Sequence, residues 1–211
     1  RRKLYQDASI LRLKARTVSI GGLGPLTHRL EEYLAGIESI DGQKADDLQT
    51  FADRIADVLD GKWTEPREVA GVVRDLPTHW AFEVGDVEIA QVEITLVMPQ
   101  RSAARVVERE LAACGYRVSV VLDPFEAIGL INETRPDLVI TAQVMPRLSG
   151  VDLACALSAM PATRDVPVAL LTSLERGHPD LTALPMGAGV IRRGPSFGED
   201  LANVLERFEI T

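Results

Sequence analysis

The chain has 211 residues, 46% of them apolar, which is enough for one large domain or two small ones with packed cores. Its formal net charge is −8, and the acidic residues are spread through both halves. Nucleic acids and anionic membranes are bound by clustered Lys and Arg, so this balance counts against both kinds of partner. The short basic cluster Arg1-Arg2-Lys3 is too small to change that conclusion.

The cysteine usage and the lack of long apolar runs indicate a reduced, cytoplasmic protein. Cys114 and Cys155 lie inside apolar helical patterns, where small thiols pack as core residues, and we do not expect a disulfide. No Cys/His spacing predicts zinc, and we expect no metal and no cofactor. No apolar run approaches the ~18 residues of a membrane helix, and no signal peptide is visible.

Residues 1–62 show three apolar stripes at helical spacing, over 5–20, 26–37 and 45–59. Helices with one apolar face and short connections must pack on each other, which predicts an all-α antiparallel bundle. In the third helix the stripe has near-heptad spacing; we expect bundle core there, with a homodimer seam as the alternative. The predicted core positions are Ile10, Leu11, Leu13, Val18 and Ile20, then Leu26, Leu30, Tyr33, Leu34 and Ile37, then Leu48, Phe51, Ile55, Val58 and Leu59.

Residues 63–91 are interpreted as a connector. Trp63 and Trp80 fall among polar residues, with a short helix predicted from Pro66 to Leu76 because proline suits a first helical turn. His79 lies in the same Pro-containing segment with no partner at catalytic spacing, and His178 lies in a similar one further on. We expect both histidines to be solvated loop residues.

From residue 92 to 211 the pattern alternates between strand and helix. Near-continuous apolar strands separated by helices indicate βαβ units, hence an α/β doubly wound parallel sheet with helices on both faces. The predicted strands are 92–98, 117–122, 137–142, 166–172 and 188–192, and the predicted helices are 103–113, 124–132, 151–160 and 197–208.

The segment from Pro136 to Gly150 has the features of a buried strand that ends in a loop at the C-terminal edge of such a sheet. Ligands and chemistry sit at that edge in open α/β sheets. The residue at the predicted strand end, however, is Ala142, which has no functional group.

Five separated segments resemble the response-regulator receiver domain of bacterial two-component signalling, whose fold is a five-stranded doubly wound sheet. They occur in the family's order and at its spacings between Val92 and Phe208, so the set is far more specific than any one motif. The segments are Leu96-Val97-Met98-Pro99-Gln100, Pro136-Asp137-Leu138-Val139-Ile140, Met145-Pro146 with Gly150, Pro167-Val168-Ala169-Leu170-Leu171-Thr172-Ser173, and Gly187-Ala188.

The resemblance implies where the family's chemistry would lie. Two acidic residues and a phosphoacceptor Asp hold Mg²⁺, a Lys steadies the phosphoryl group, and a Thr or Ser senses it. Met98 and Pro99 align with the acidic pair, Ala142 with the phosphoacceptor and Gly194 with the Lys; of the set only Thr172 remains. We therefore interpret this half as a pseudo-receiver that keeps the scaffold and has lost the reaction.

A further departure from the receiver family lies between Ser173 and Gly187. The family has a helix there, but Gly177, Pro179 and Pro185 oppose a regular helix. Ile191 also replaces the aromatic residue of the family's fifth strand. This face usually reports phosphorylation to partners, so the surface offered to a partner is expected to differ.

The first half is similar to a histidine phosphotransfer (HPt) domain of the chemotaxis-kinase kind. The resemblance rests on Leu13-Lys14-Ala15, on Gly22-Leu23, and on a His-x-Leu-Glu helix at His28. It places the family's reactive His at Leu11. The dimerisation helices of a histidine kinase are the alternative, because they too form antiparallel bundles.

These observations predict a non-enzymatic signalling protein that binds a histidine kinase, a phosphotransfer protein or a receiver without accepting phosphate. One alternative is an active phosphorelay component with an unconventional acceptor such as His28, although a surface or capping role is expected for that residue. Another is the regulatory part of a transcriptional or effector protein. The acidic charge counts against nucleic-acid binding by these residues.

Overall fold

The computed structural model describes residues 2–63, 65–79, 92–175 and 177–210. The chain divides into two compact units, residues 1–87 and 88–211. Within the described ranges, no helix has both the length and the apolar character needed to cross a membrane.

The described part of the first unit is helical. α2 contacts each of the other helices, and its side chains Leu26 and Leu34 are almost fully buried. At the start of α2, Gly22 adopts the left-handed φ of 83° that favours glycine. Asp41 caps α3 by accepting the Lys44 N–H at 3.1 Å. The helices are α1 (Arg2–Ala15), α2 (Leu23–Gly36), α3 (Gly42–Leu59) and α4 (Pro66–Arg74).

The core of this unit confirms the predicted stripes of the second and third helices but not that of the first. α1 ends at Ala15, and Leu13, Val18 and Ile20 are exposed. Its buried positions are instead Ala8 and Ala15, which lie seven residues apart on one face. Alanines at a helix contact let two helices approach closely, and Tyr5 and Leu11 pack beside this contact while partly buried.

The remaining predicted core positions divide in the same way. Leu59, at the end of α3, is exposed, and Ile10 is exposed on α1. Leu11, Leu30 and Leu48 pack on the core while partly buried. Most of the near-heptad stripe of α3 packs in the core of this unit, since Phe51, Ile55 and Val58 are buried there.

The short helix predicted in the connector is present as α4 (Pro66–Arg74), and it packs in the first unit. Helix α4 belongs to the first unit, because Val69, Val73 and Leu76 enter the same core as Phe51. Trp63 packs against this core while partly buried, with the Arg54 guanidinium 5.5 Å from its ring centroid. An amphipathic helix with a complete apolar face cannot remain a solvated linker. Trp80 lies outside the described residues.

His79 is not the solvated loop residue expected from its sequence context. Its ring packs on the C-terminal turn of α2, where a Cβ added at Gly36 would lie 2.0 Å from His79 Cδ2. Burial lowers the pKa of His79; the Glu32 carboxylate opposes this shift and the Arg29 guanidinium adds to it. Glycine at position 36 therefore leaves the space that the imidazole occupies.

We predict that Gly36→Ala destabilises the first unit by about 1–3 kcal/mol, because the new methyl group forces the His79 ring out of its place. Urea unfolding followed by tryptophan fluorescence measures this, since both tryptophans lie in residues 1–87. Gly24→Ala is the matched control. It puts a methyl group on the same helix with no atom within 4 Å, so equal losses from both variants would contradict the prediction.

A second prediction concerns pH. The folded-state pKa of His79 lies below its ordinary value of 6.5, so the unfolded chain binds a proton first as the pH falls. The stability that neutral His79 gives is present above pH 6.5 and declines as the pH falls from there toward the folded pKa. Urea unfolding at a series of pH values should show this decline, and His79→Phe should reduce it. An NMR titration giving His79 a pKa above 6.5 would contradict the prediction.

The second unit contains a five-stranded sheet in the order β2-β1-β3-β4-β5, with every neighbouring pair parallel. Strands β1, β3 and β4 are buried at all five positions, which requires cover on both faces. The predicted doubly wound sheet is confirmed. The elements are β1 (Glu93–Val97), α5 (Arg101–Ala113), β2 (Arg117–Val121), α6 (Pro124–Thr134), β3 (Leu138–Ala142), α7 (Gly150–Ala159), β4 (Val168–Thr172), β5 (Gly189–Arg192) and α8 (Phe197–Arg207).

Two local features of this unit bear on the sequence predictions. Between β4 and β5 the described residues form only a 3-10 turn, Pro179–Leu181, as the prolines and glycines predict. Cys114 is exposed and Cys155 is half-buried, and both thiols are free, so the expectation that both are core residues is wrong. Cys114 follows the last turn of α5, beyond the part of that helix that packs on the sheet.

Candidate functional site

The C-terminal edge of the sheet brings together three of the predicted site positions. Parallel pairing of β1, β3 and β4 places Met98, Ala142 and Thr172 at the ends of neighbouring strands. All three are buried, with exposed fractions of 0%, 2% and 1%. Pro99 follows directly on Met98. Gly194 lies just beyond β5, is exposed and adopts a left-handed φ of 94°.

The loop after Ala142 returns tightly against the strand it leaves. The Gly150 N–H donates to the Gln143 carbonyl at 2.9 Å, and a Cβ at Gly150 would lie only 2.3 Å from the Ala142 carbonyl oxygen. Ser149 then begins α7 with a reciprocal capping box to Asp152. The backbone of this edge is thus fixed by a glycine contact that does not depend on the side chain at position 142.

We predict that Gly150→Ala destabilises the second unit by about 2–3 kcal/mol, because the methyl group would collide with backbone that cannot move aside. Gly129→Ala, in α6, meets no atom within 4 Å and should instead stabilise the unit by about 0.5–1 kcal/mol. Urea unfolding followed by circular dichroism measures both. Equal stability of the two variants would show that the close approach at Ala142 is not required.

Thr172, the one family position retained, hydrogen-bonds to the residue after Ala142. Its hydroxyl donates to Gln143 Oε1 and accepts the Leu174 N–H at 3.0 Å. The sequence alone did not indicate Gln143 as the partner of this hydroxyl. The amide of Gln143 therefore links the ends of β3 and β4 through side chains.

An ion pair at the same edge was not predicted. Arg147, in the loop after β3, pairs with Asp123, which lies in the loop after β2. The Arg147 guanidinium carbon also lies 4.9 Å from the centroid of the Phe125 ring. Asp123 caps α6 through the Phe125 and Glu126 N–H groups, at 2.8 and 3.2 Å. Asp before Pro124 is a recognisable cap signal, but nothing in the sequence gives the Arg147 conformation, whose φ is 68°.

The end of β5 is held by a second charged group. The carboxylate of Asp200, on α8, is 1% exposed and accepts from Arg192 at three donors: the backbone N at 2.9 Å, Nε at 2.8 Å and Nη2 at 3.1 Å. These bonds raise the pKa of Arg192 above its ordinary value. Arg192 Nη1 also lies 3.5 Å from Glu175, and the Arg193 N–H donates to the Thr172 carbonyl at 2.8 Å.

The residues at this edge do not fit a magnesium ion. Mg²⁺ takes oxygen ligands, and the side chains of Met98, Pro99 and Ala142 contain no oxygen. Among the described residues, no group of three or more His, Cys, Asp or Glu side chains is arranged to hold a metal.

The predicted positions in the first unit lie on α1 and α2. Leu11 is half-buried on α1 and packs on the core. His28, on α2, is 3% exposed, with Nε2 3.4 Å from Glu32 Oε1, so its predicted surface role is wrong.

Burial alone would raise the pKa of Glu31, but hydrogen bonds from Ser9 and Arg12 hold it below its ordinary value. These bonds join α1 to α2.

Part of the chain is similar in sequence to known bacterial regulators. It is 32% identical over 103 residues to the transcriptional regulatory protein PrrA of Mycobacterium leprae, covering 49% of this chain and 43% of PrrA. It is also 32% identical over 97 residues to the response regulator MprA of Mycolicibacterium vanbaalenii, covering 46% and 41%. The chain therefore spans about two fifths of the length of these relatives. No family model matches it.

Solved structures agree on the fold of the second unit. The receiver domain of a sensor histidine kinase from Pseudomonas aeruginosa has a TM-score of 0.50 at 24% identity, covering 56% of this chain and 98% of that one. A Chloroflexus aurantiacus protein described as a response regulator has a TM-score of 0.51 at 21% identity, with the same coverage. The second unit has the receiver fold, and the chain is similar in sequence to response regulators.

Proposed function

We propose that the chain is a non-enzymatic component of two-component signalling, which regulates a partner by binding it and does not accept a phosphoryl group. Its second unit is a pseudo-receiver and its first unit an HPt-like helical module. The partner is a histidine kinase, a phosphotransfer protein or a receiver. The observation that carries the proposal is the set Met98, Pro99, Ala142 and Gly194 at the sheet edge where receiver chemistry needs four charged groups.

Phosphoryl transfer at this edge lacks each of its chemical requirements. A methyl group at position 142 cannot attack phosphorus, and a buried thioether and a proline ring do not bind the cation that offsets phosphoryl charge. Gly194 supplies no cation where a receiver has Lys. Four independent losses at one site support a binding role more strongly than any single substitution.

The contacts around the edge support a surface held in one arrangement. Thr172 is bonded to Gln143, and Arg192 ties β5 to Asp200 and Glu175. A receiver that responds to phosphate must move these elements, whereas here side-chain contacts already join them. A scaffold of this kind regulates by occupying a partner, because fold and reaction are separable.

The alternative of an active phosphorelay component rests on His28. Its burial at 3% exposure and its position 3.4 Å from Glu32 count against it, because a phosphoacceptor imidazole must reach another protein's active site. A second alternative, the regulatory part of a transcription factor, is favoured by the similarity to PrrA. In that case the chain would act within a longer protein.

We predict no stable radioactive label on the chain after incubation with an autophosphorylated histidine kinase and Mg²⁺, because no residue at the edge can accept the group. An active receiver incubated in parallel is the control, and His28→Gln tests the alternative. Label on the chain that persists would overturn the proposal, and its loss in His28→Gln would assign it to His28.

The binding half of the proposal is tested by affinity capture with the full chain from lysate of the source cells. The expected result is retention of a histidine kinase, a phosphotransfer protein or a receiver, identified by mass spectrometry and then tested with purified partner. Salt-sensitive binding of the chain to DNA, without any such protein partner, would favour the transcriptional alternative.

A further inference from the structure

A cavity of about 410 Å³, open to solvent on one side, lies in the second unit between the β4–β5 connection, β5 and α8. Its apolar walls include Leu181 and Leu184 from the connection, Val190 from β5 and Val204 from α8. A few polar side chains share the lining. Concave sites of roughly 300–1,000 Å³ with mostly apolar walls and few polar groups are typical of small-molecule binding. The polar lining residues are His178, Thr182, Asn203 and Arg207.

The cavity exists because the β4–β5 connection does not build a helix. The connections after β1, β2 and β3 contain helices of 13, 11 and 10 residues. Among the described residues of the β4–β5 connection, only the 3-10 turn is regular. At the base of the cavity, a Cβ added at Gly189 would lie only 2.8 Å from Val204 Cγ2. Helix α8 therefore packs directly on β5. The space beside α8 is left open.

Arg207 places a positive charge at this cavity. Its Nη1 donates to the Ala188 carbonyl at 3.3 Å and its Nη2 to the Met186 carbonyl at 3.0 Å. Both acceptors are neutral, so these contacts orient the guanidinium without neutralising it. A guanidinium has five N–H donors, and these two contacts use only two of them. The other donors can bond to an acceptor in the cavity.

The other polar lining groups can donate as well. His178 Nδ1 accepts the Asp180 N–H at 3.2 Å, so in the neutral ring the proton lies on Nε2, which becomes a donor. Thr182 adds a hydroxyl and Asn203 an amide. The lining residues include no acidic side chain; the Asp180 carboxylate lies 3.7 Å from Nδ1 of His178 and is not part of the lining.

We propose that this cavity binds a small organic carboxylate. The carboxylate would bond to Arg207 with help from the neutral donors, and the apolar body of the ligand would lie against Leu181, Leu184 and Val204. The described lining residues carry one guanidinium beside leucine and valine walls, which matches a ligand with one negative group and an apolar body. The site is separate from the edge at Ala142 and does not depend on phosphorylation.

The test is an NMR titration of the ¹⁵N-labelled full chain with benzoate. Saturable shifts are expected at the amides of Ala188, Gly189 and Asn203. Arg207→Gln should weaken benzoate binding at least about tenfold, the effect of losing one charge-assisted hydrogen bond. Arg164→Gln removes an exposed arginine of the same unit outside the cavity and should leave the affinity unchanged.

Asn203→Asp provides a second variant that keeps Arg207 and its two carbonyl contacts. It adds a negative charge to the lining and should also weaken benzoate. Benzyl alcohol has the same ring without the charge and should not bind measurably. The proposal is overturned if benzoate gives no saturable shift at these amides, if benzyl alcohol binds as tightly, or if neither variant weakens benzoate.

Discussion

The position of β3 between β1 and β4 is the constraint on which the second unit depends. The strand is hydrogen-bonded on both sides and buried at all five positions, so its register fixes where the chain leaves the sheet. From Ala142 the loop must return within reach of Gly150, whose missing side chain admits the Ala142 carbonyl. Each of these contacts is made by backbone. The fold at this edge therefore does not require a charged side chain at position 142.

The sequence predicted the periodic elements of the second unit, which are its strands and helices. Buried parallel strands and the helices between them have short periods, and the five strands and four helices lie within a few residues of their predicted limits. Register then places Met98, Ala142 and Thr172 together. Side-chain hydrogen bonds and ion pairs that depend on loop conformation could not be predicted from these periodic patterns. Gln143 reaches Thr172, and Arg147 reaches Asp123, only because of how one seven-residue loop turns.

The first unit was predicted less well, for a different reason. Counting large apolar residues gave mostly wrong core positions for α1, because close helix packing there uses Ala8 and Ala15, with Leu11 partly buried beside them. The short helix predicted from Pro66 formed, but its place in the core was missed: Val73 of α4 and Leu76 just after it complete the core. In both cases the error came from treating residue size or local polarity as a measure of burial. Burial is decided by which surface a neighbouring helix presents.

The connection between β4 and β5 has a consequence for how the second unit opens locally. Around the 3-10 turn, these backbone hydrogen bonds each join residues three apart in sequence: His178 to Glu175, Leu181 to His178, Thr182 to Pro179, Leu184 to Leu181 and Ala188 to Pro185. Each closes a single turn, and none depends on the sheet ladder. Such turns can exchange their amide hydrogens by separate small fluctuations, at a free-energy cost well below that of global unfolding. Strand β5, held by β4 and by Arg192 to Asp200, does not share that freedom. A region of low local cooperativity thus lies beside a strand end that is held by three hydrogen bonds to Asp200.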